Sequence, residues 1–167
     1  MNRKPIFTIA LLCVTLYAPL AAFGQSQDFV INGTTLISYR GIKANVTIPE
    51  GVTIIGDHAF SLYTGLTSVK IPASVTAIGD FAFAGCGSLA SVTIPESVTY
   101  IGKSAFAYCS SLTGITIPPN ITYIGFSAFG GCSNLSTVRL YRVIINGQTT
   151  IGTDAFPADT RFIYLDL

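Results

Sequence analysis

The sequence predicts a repeat solenoid of the α/β class. It should be a right-handed coil of mostly short parallel strands with single helical or 3-10 turns, headed by an N-terminal β-hairpin cap. Three observations predict it. The phrase VTIPESVTYIGKSAFAYC at residues 92–109 returns as ITIPPNITYIGFSAFGGC at 115–132, one step of a 23-residue period. The period runs without slip through units that start at Val46, Val69, Val92 and Ile115, and it reaches Val138. The apolar marks of the unit keep their spacing; in the third copy they are Val92, Ile94, Val98, Ile101, Ala105, Phe106, Cys109 and Leu112. A strict period in this range signals stacked coils. One unit has too few large apolar side chains to offset the entropy of ordering its backbone. Each coil must therefore be its neighbour's hydrophobic partner, and like residues stack best on like.

The first 24 residues stand apart from the repeat. Asn2, Arg3 and Lys4 make a basic start, and an apolar run from Pro5 to Leu20 follows. Ala22 and Gly24 suit cleavage before Gln25, so the segment reads as an export signal. The run is shorter than the roughly 20 residues of a transmembrane anchor and lacks a stop-transfer flank. Export puts the chain in the periplasm, at the cell surface or outside the cell.

Residues 25–45 read as an N-terminal cap. The segment from Phe29 to Tyr39 carries Asn32-Gly33 between two apolar runs, a strong hairpin signal. It is expected to cover the first coil, where Lys43 stands in place of the upstream Leu. Residues 46–137 hold four 23-residue repeats. In the second, Leu66, Val69 and Ile71 follow the spacing L-x-x-L-x-L, and the alternation Val69, Lys70, Ile71 reads as a short strand with Val and Ile inward. Pro72 ends that strand because it has no donor for a ladder. Val75 to Ile78 is a second extended piece closed by Gly79, and residues 80–86 are expected to form the helical or 3-10 turn. Residues 138–167 make an irregular fifth repeat and a C-terminal cap strand. Tyr141 replaces the Pro, four extra residues surround Asn146-Gly147, and Ala155-Phe156 restores the phrase. Phe162 to Leu167 again fits L-x-x-L-x-L, with Leu165 in the second place. That strand is an apolar edge: tucked under the inserted loop, paired with another molecule, or part of a longer array.

The fuller phrase, L-x-x-V-x-I-P-x-x-V-x-x-I-G-x-x-A-F-x-x-C, closely resembles the BspA-like (Treponema-type) leucine-rich repeats, from about Asp28 to the C-terminus. The resemblance implies an exported or surface protein of bacteria or protozoa, and for several members adhesion to host proteins or other cells.

The remaining residues offer little chemistry. Net charge is +1 and charged residues are 10% of the chain, which argues against nucleic acid or an anionic membrane as partner. Cys86, Cys109 and Cys132 share one repeat position, which favours a ladder of buried free thiols over a disulfide or a metal site. His58, the single histidine, falls at a variable position expected to be exposed. Asp57 and Asp80 share a column with Lys103; a solvated column is favoured over a Ca²⁺ site. The glycines recur at the repeat spacing as turn residues, not as a phosphate loop. No catalysis, cofactor or metal is expected.

What is left is surface. Thr47, Lys70, Thr93, Thr116 and Arg139, with Asp166 as a possible sixth, should line up as the outward column of the repeated strand. That column is the candidate ligand-binding face, for a protein or glycoprotein ligand such as a host extracellular protein. The rival reading is a structural envelope or matrix component that self-associates end to end through the C-terminal edge strand.

Overall fold

The computed structural model of the chain describes residues 28–141 and 149–166. The export segment at 1–24 and the Asn146-Gly147 turn lie outside the described residues. A hairpin comes first, β1 (Phe29–Asn32) and β2 (Thr35–Tyr39). Pairs of strands follow, one pair per coil: β3 (Asn45–Thr47) and β4 (Ile54–Ile55); β5 (Ser68–Lys70) and β6 (Ala77–Ile78); β7 (Ser91–Thr93) and β8 (Tyr100–Ile101); β9 (Gly114–Ile117) and β10 (Tyr123–Ile124); β11 (Thr137–Tyr141) and β12 (Thr150–Ile151). A last strand, β13 (Arg161–Leu165), ends the series.

The coils stack in register. Val46 pairs with Val69 and Val69 with Val92, while Ile55, Ile78, Ile101 and Ile124 form one unbroken row. One side of the solenoid is a seven-stranded sheet of order β1-β2-β4-β6-β8-β10-β12, parallel apart from the hairpin. The other strands form two sheets, β3-β5-β7 and β9-β11-β13. β9 and β11 are longer than their counterparts; in β11 Tyr141 takes the place of the Pro that ends β5 and β7.

The third side corrects the expected class. Among the described residues there is no helical or 3-10 turn, so the fold is a β-solenoid rather than an α/β one. The hydrogen bonds give the reason. Ala59, Ser61 and Tyr63 donate their backbone N–H groups three residues back, but His58, Phe60 and Leu62 donate to the carbonyls of Asp80, Ala82 and Ala84, one coil on, at 2.7–2.9 Å. A helix keeps its N–H groups within itself; here every second one crosses to the neighbour. The crossing requires left-handed backbone at a fixed place, with φ of 58° at His58, 56° at Phe81, 51° at Ser104, 50° at Ser127 and 54° at Asp154.

Phe60, Phe83, Phe106 and Phe129 are fully buried and stack with Phe156 in one file, at centroid spacings of 4.9–5.2 Å and interplanar angles of 2–9°. Tyr39 stacks on the first ring at 5.2 Å and Phe162 meets the last edge-on at 5.5 Å. Gly79, Gly102, Gly125 and Gly152 form another file, and their role also differs from expectation. They do not have positive φ; a Cβ on any of them would press into the backbone of the preceding coil, 2.5 Å from the Lys103 nitrogen in the case of Gly125. Close approach of coils, not turn conformation, demands glycine here.

Both ends depart from expectation. The hairpin does not lie as a lid over the first coil: β2 pairs with β4 within the large sheet, and β3 stays an edge strand. Lys43 bonds with the hairpin, forming an ion pair with Asp28 at 3.7 Å and donating its N–H to the Tyr39 hydroxyl. At the other end Val138 pairs with Phe162, not with Leu165, and Arg139 pairs with Ile163. The spacing reading was three residues out of register, and Asp166 is not the sixth member of the outward column.

Candidate protein-binding face and other candidate sites

Each member of the predicted column sits at the middle or outward place of a strand whose neighbours point inward. Val46, Val69, Val92, Ile115 and Val138 are buried, and the residue after each, Thr47, Lys70, Thr93, Thr116 and Arg139, is exposed. This is the period-two alternation of a half-buried strand. The ladder brings Thr47 beside Lys70, Lys70 beside Thr93, and Thr116 beside Arg139. It does not join Thr93 to Thr116, because β7 and β9 belong to different sheets. A cleft of about 220 Å³ opens at that junction, walled by Thr93, Glu96, Thr116, Pro119 and Tyr141. The face is thus two ladders with one cation each and a gap between them. Lys70 and Arg139 are both exposed, so each presents its charge at the surface of its ladder.

The other candidates resolve as scaffold. Cys86, Cys109 and Cys132 are free and buried. Their thiols donate to the carbonyls of Phe60, Phe83 and Phe106 in the preceding coil at 3.2, 3.3 and 3.0 Å. Burial pushes the Cys86 thiol up to about 12, and a hydrogen bond with Cys132 together with burial pushes Cys109 up as well. Neither is poised as a thiolate nucleophile. His58 is exposed and lies flat on the Phe81 ring, 5.0 Å between centroids at 4°. The aspartate column holds the backbone: Asp57 Oδ1 accepts from the Asp80 N–H and Asp80 Oδ1 from the Lys103 N–H, both at 2.8 Å. Among the described residues no group of His, Cys, Asp or Glu side chains could hold a metal ion. Among the described residues no helix is long and apolar enough to cross a membrane.

Sequence reasoning missed a cleft on the turn side of the later coils, between Tyr108 and Phe126. Its signal was present: the column of His58, Phe81, Ser104, Ser127 and Asp154 varies in size and charge more than any inward position.

Residues 39–161 match the model of the BspA type leucine rich repeat region, in six copies. Among solved structures, a leucine-rich repeat protein from Eubacterium ventriosum is 28% identical with a TM-score of 0.69, over 81% of this chain and 37% of that one. One from Bacteroides capillosus is 33% identical with a TM-score of 0.58, over 68% of this chain and 98% of that one. A leucine rich cell surface protein from Faecalibacterium prausnitzii is 27% identical with a TM-score of 0.50, over 81% of this chain and 52% of that one. This chain therefore spans only 37% of the Eubacterium protein's length. No curated protein matches it.

Proposed function

This chain belongs to the BspA-type leucine-rich repeat family, and from that premise we propose that it is an exported, non-catalytic module that binds protein or glycoprotein ligands outside the cell, with adhesion to host or neighbouring-cell proteins as its role. The carrying observation is the outward strand column: Thr47, Lys70, Thr93, Thr116 and Arg139 are exposed on a backbone held in register coil by coil. A surface already ordered loses little entropy when it docks. Lys70 and Arg139 are the charged anchors, and the gap at the β7–β9 junction accepts a side chain of the ligand. A similar chain described as a cell surface protein supports the location.

The test is surface plasmon resonance of the chain against a panel of purified extracellular-matrix proteins. The double variant Lys70→Glu/Arg139→Glu should weaken the strongest interaction at least tenfold, and unchanged affinity rejects this face. A second reading, end-to-end assembly as a matrix component, rests on β13. There Phe162 and Tyr164 continue the buried Val138 and Leu140 positions yet are 39% and 47% exposed. Light scattering across a concentration series separates the two, because a strict monomer excludes assembly.

A further inference from the structure

The solenoid has a second concave surface, remote in the coil from the strand column. A cleft of about 540 Å³ lies on the turn side of the third to fifth coils, within the roughly 300–1,000 Å³ range of small-ligand sites. Its origin is a departure from the repeat. Ser104, Ser127, Ala107 and Gly130 are small, while Phe81, Tyr108 and Phe126 stand around them as walls. Phe126 is 46% exposed and Tyr108 is 70% exposed. Two exposed aromatic residues lining one cleft make an apolar patch of the kind that marks a ligand-binding groove. It is also held in place: a Cβ on Gly131 would fall 2.5 Å from Tyr108 Cδ1 and 2.7 Å from Cε1, so the ring rests against bare glycine backbone. Leu62 of the first coil rests on Gly85 of the second in the same way. The repeat offers this seat, and the fourth coil's Gly131 receives an aromatic platform there.

The polar groups narrow the ligand. Ser104 and Ser127 offer hydroxyls that both donate and accept, and Asp154 offers a carboxylate that accepts. Lys103 already lies near two of the rings, its Nζ 5.7 Å from the Phe81 centroid and 6.0 Å from that of Phe126. A ligand cation would therefore meet an occupied cation–π position and a like charge. A ligand anion would meet Asp154. A fully apolar ligand would strip water from two hydroxyls and a carboxylate without replacing those bonds. The ligand that suits all of these groups is neutral, with one flat C–H face for a ring and hydroxyls around its edge for the serines and the carboxylate. We propose that this cleft is a binding site for a neutral carbohydrate, with Tyr108 and Phe126 as stacking surfaces and Asp154 as the hydrogen-bond acceptor that orients the sugar.

The experiment uses the purified chain on an array of neutral, acidic and amino-bearing oligosaccharides, followed by calorimetric titration of the strongest neutral one. Tyr108→Ala should weaken binding at least tenfold, Asp154→Asn by a few-fold, and Ser127→Phe, which fills the cleft, should abolish it. Tyr108 is largely exposed, so its variant should keep the wild-type urea midpoint, and that measurement is made alongside. Lys70→Glu/Arg139→Glu should leave sugar binding unchanged, which separates this site from the strand face. The proposal is overturned if no neutral oligosaccharide binds, if only charged ones do, or if a folded Tyr108→Ala variant binds as wild type.

Discussion

Replacing Gly102 by Ala should force two coils apart. The added Cβ would lie 2.7 Å from both the Asp80 nitrogen and the Gly79 carbonyl carbon, where ordinary contact begins at 3.4 Å. Both neighbours are backbone, so neither can rotate away. Relief requires the coils to separate by several tenths of an ångström at a point where two bonds hold them: Gly102 N–H to the Ile78 carbonyl and Lys103 N–H to Asp80 Oδ1, both at 2.8 Å. Overpacking of this kind costs about 1–3 kcal/mol, and weakening each bond costs up to about 1 kcal/mol. The stiffer unfolded chain returns roughly 0.4–1 kcal/mol, so from the middle of each range the net loss is about 2 kcal/mol. The control is Gly114→Ala, where the nearest heavy atom, the Thr137 carbonyl oxygen, is 3.5 Å away and φ is not positive. That change should stay within about 0.5 kcal/mol of wild type or stabilise slightly. Urea unfolding followed by far-ultraviolet circular dichroism measures both. A loss below about 1 kcal/mol at Gly102, or an equal loss at Gly114, would refute close approach as the reason for the glycine file.

The phenyl file and the thiol ladder each give a further test. Phe106 is fully buried between Phe83 at 5.1 Å and Phe129 at 5.2 Å, so Phe106→Ala should cost about 3–5 kcal/mol. Phe156→Ala, at a half-buried ring, should cost clearly less, and equal costs by urea midpoint would deny the stack its interior. For Cys86 the ordinary value of 9.0 applies to the unfolded chain, and burial raises the native thiol to about 12. The unfolded state then loses its proton first as pH rises. The contribution is therefore whole below about pH 9 and is lost progressively between 9 and 12. Between pH 7.5 and pH 10 wild type should lose about 1.4 kcal/mol more than Cys86→Ala. Parallel losses in the two proteins would contradict a protonated thiol in the folded state.

The repeat made the scaffold legible because a column of identical residues can only mean a file of contacts. Val69 over Val46, Ile78 over Ile55 and Cys109 over Cys86 follow from the period alone. Local spacing failed where bonding is not local. The segment around Ala82-Phe83 looks like a helical turn, yet Phe81, Phe83 and Gly85 donate to Lys103, Ala105 and Ala107, and a 23-residue step cannot be seen in a window of seven. It also failed at β13, where the spacing favours Leu165 because the Phe162 register puts Asp159 in the first apolar place, yet Val138 pairs with Phe162. The choice fell to Phe162, which ends the phenyl file edge-on against Phe156 at 5.5 Å. The same logic explains why ligand sites are harder to find than the coil. Inward positions are constrained by the coil on either side, so they repeat. Tyr108, Phe126 and Asp154 stand outside the core, where the stack fixes the backbone but leaves the choice of side chain open, and at such positions a departure from the repeat is itself the signal. In a solenoid the columns that refuse to repeat are therefore the first place to look for a ligand.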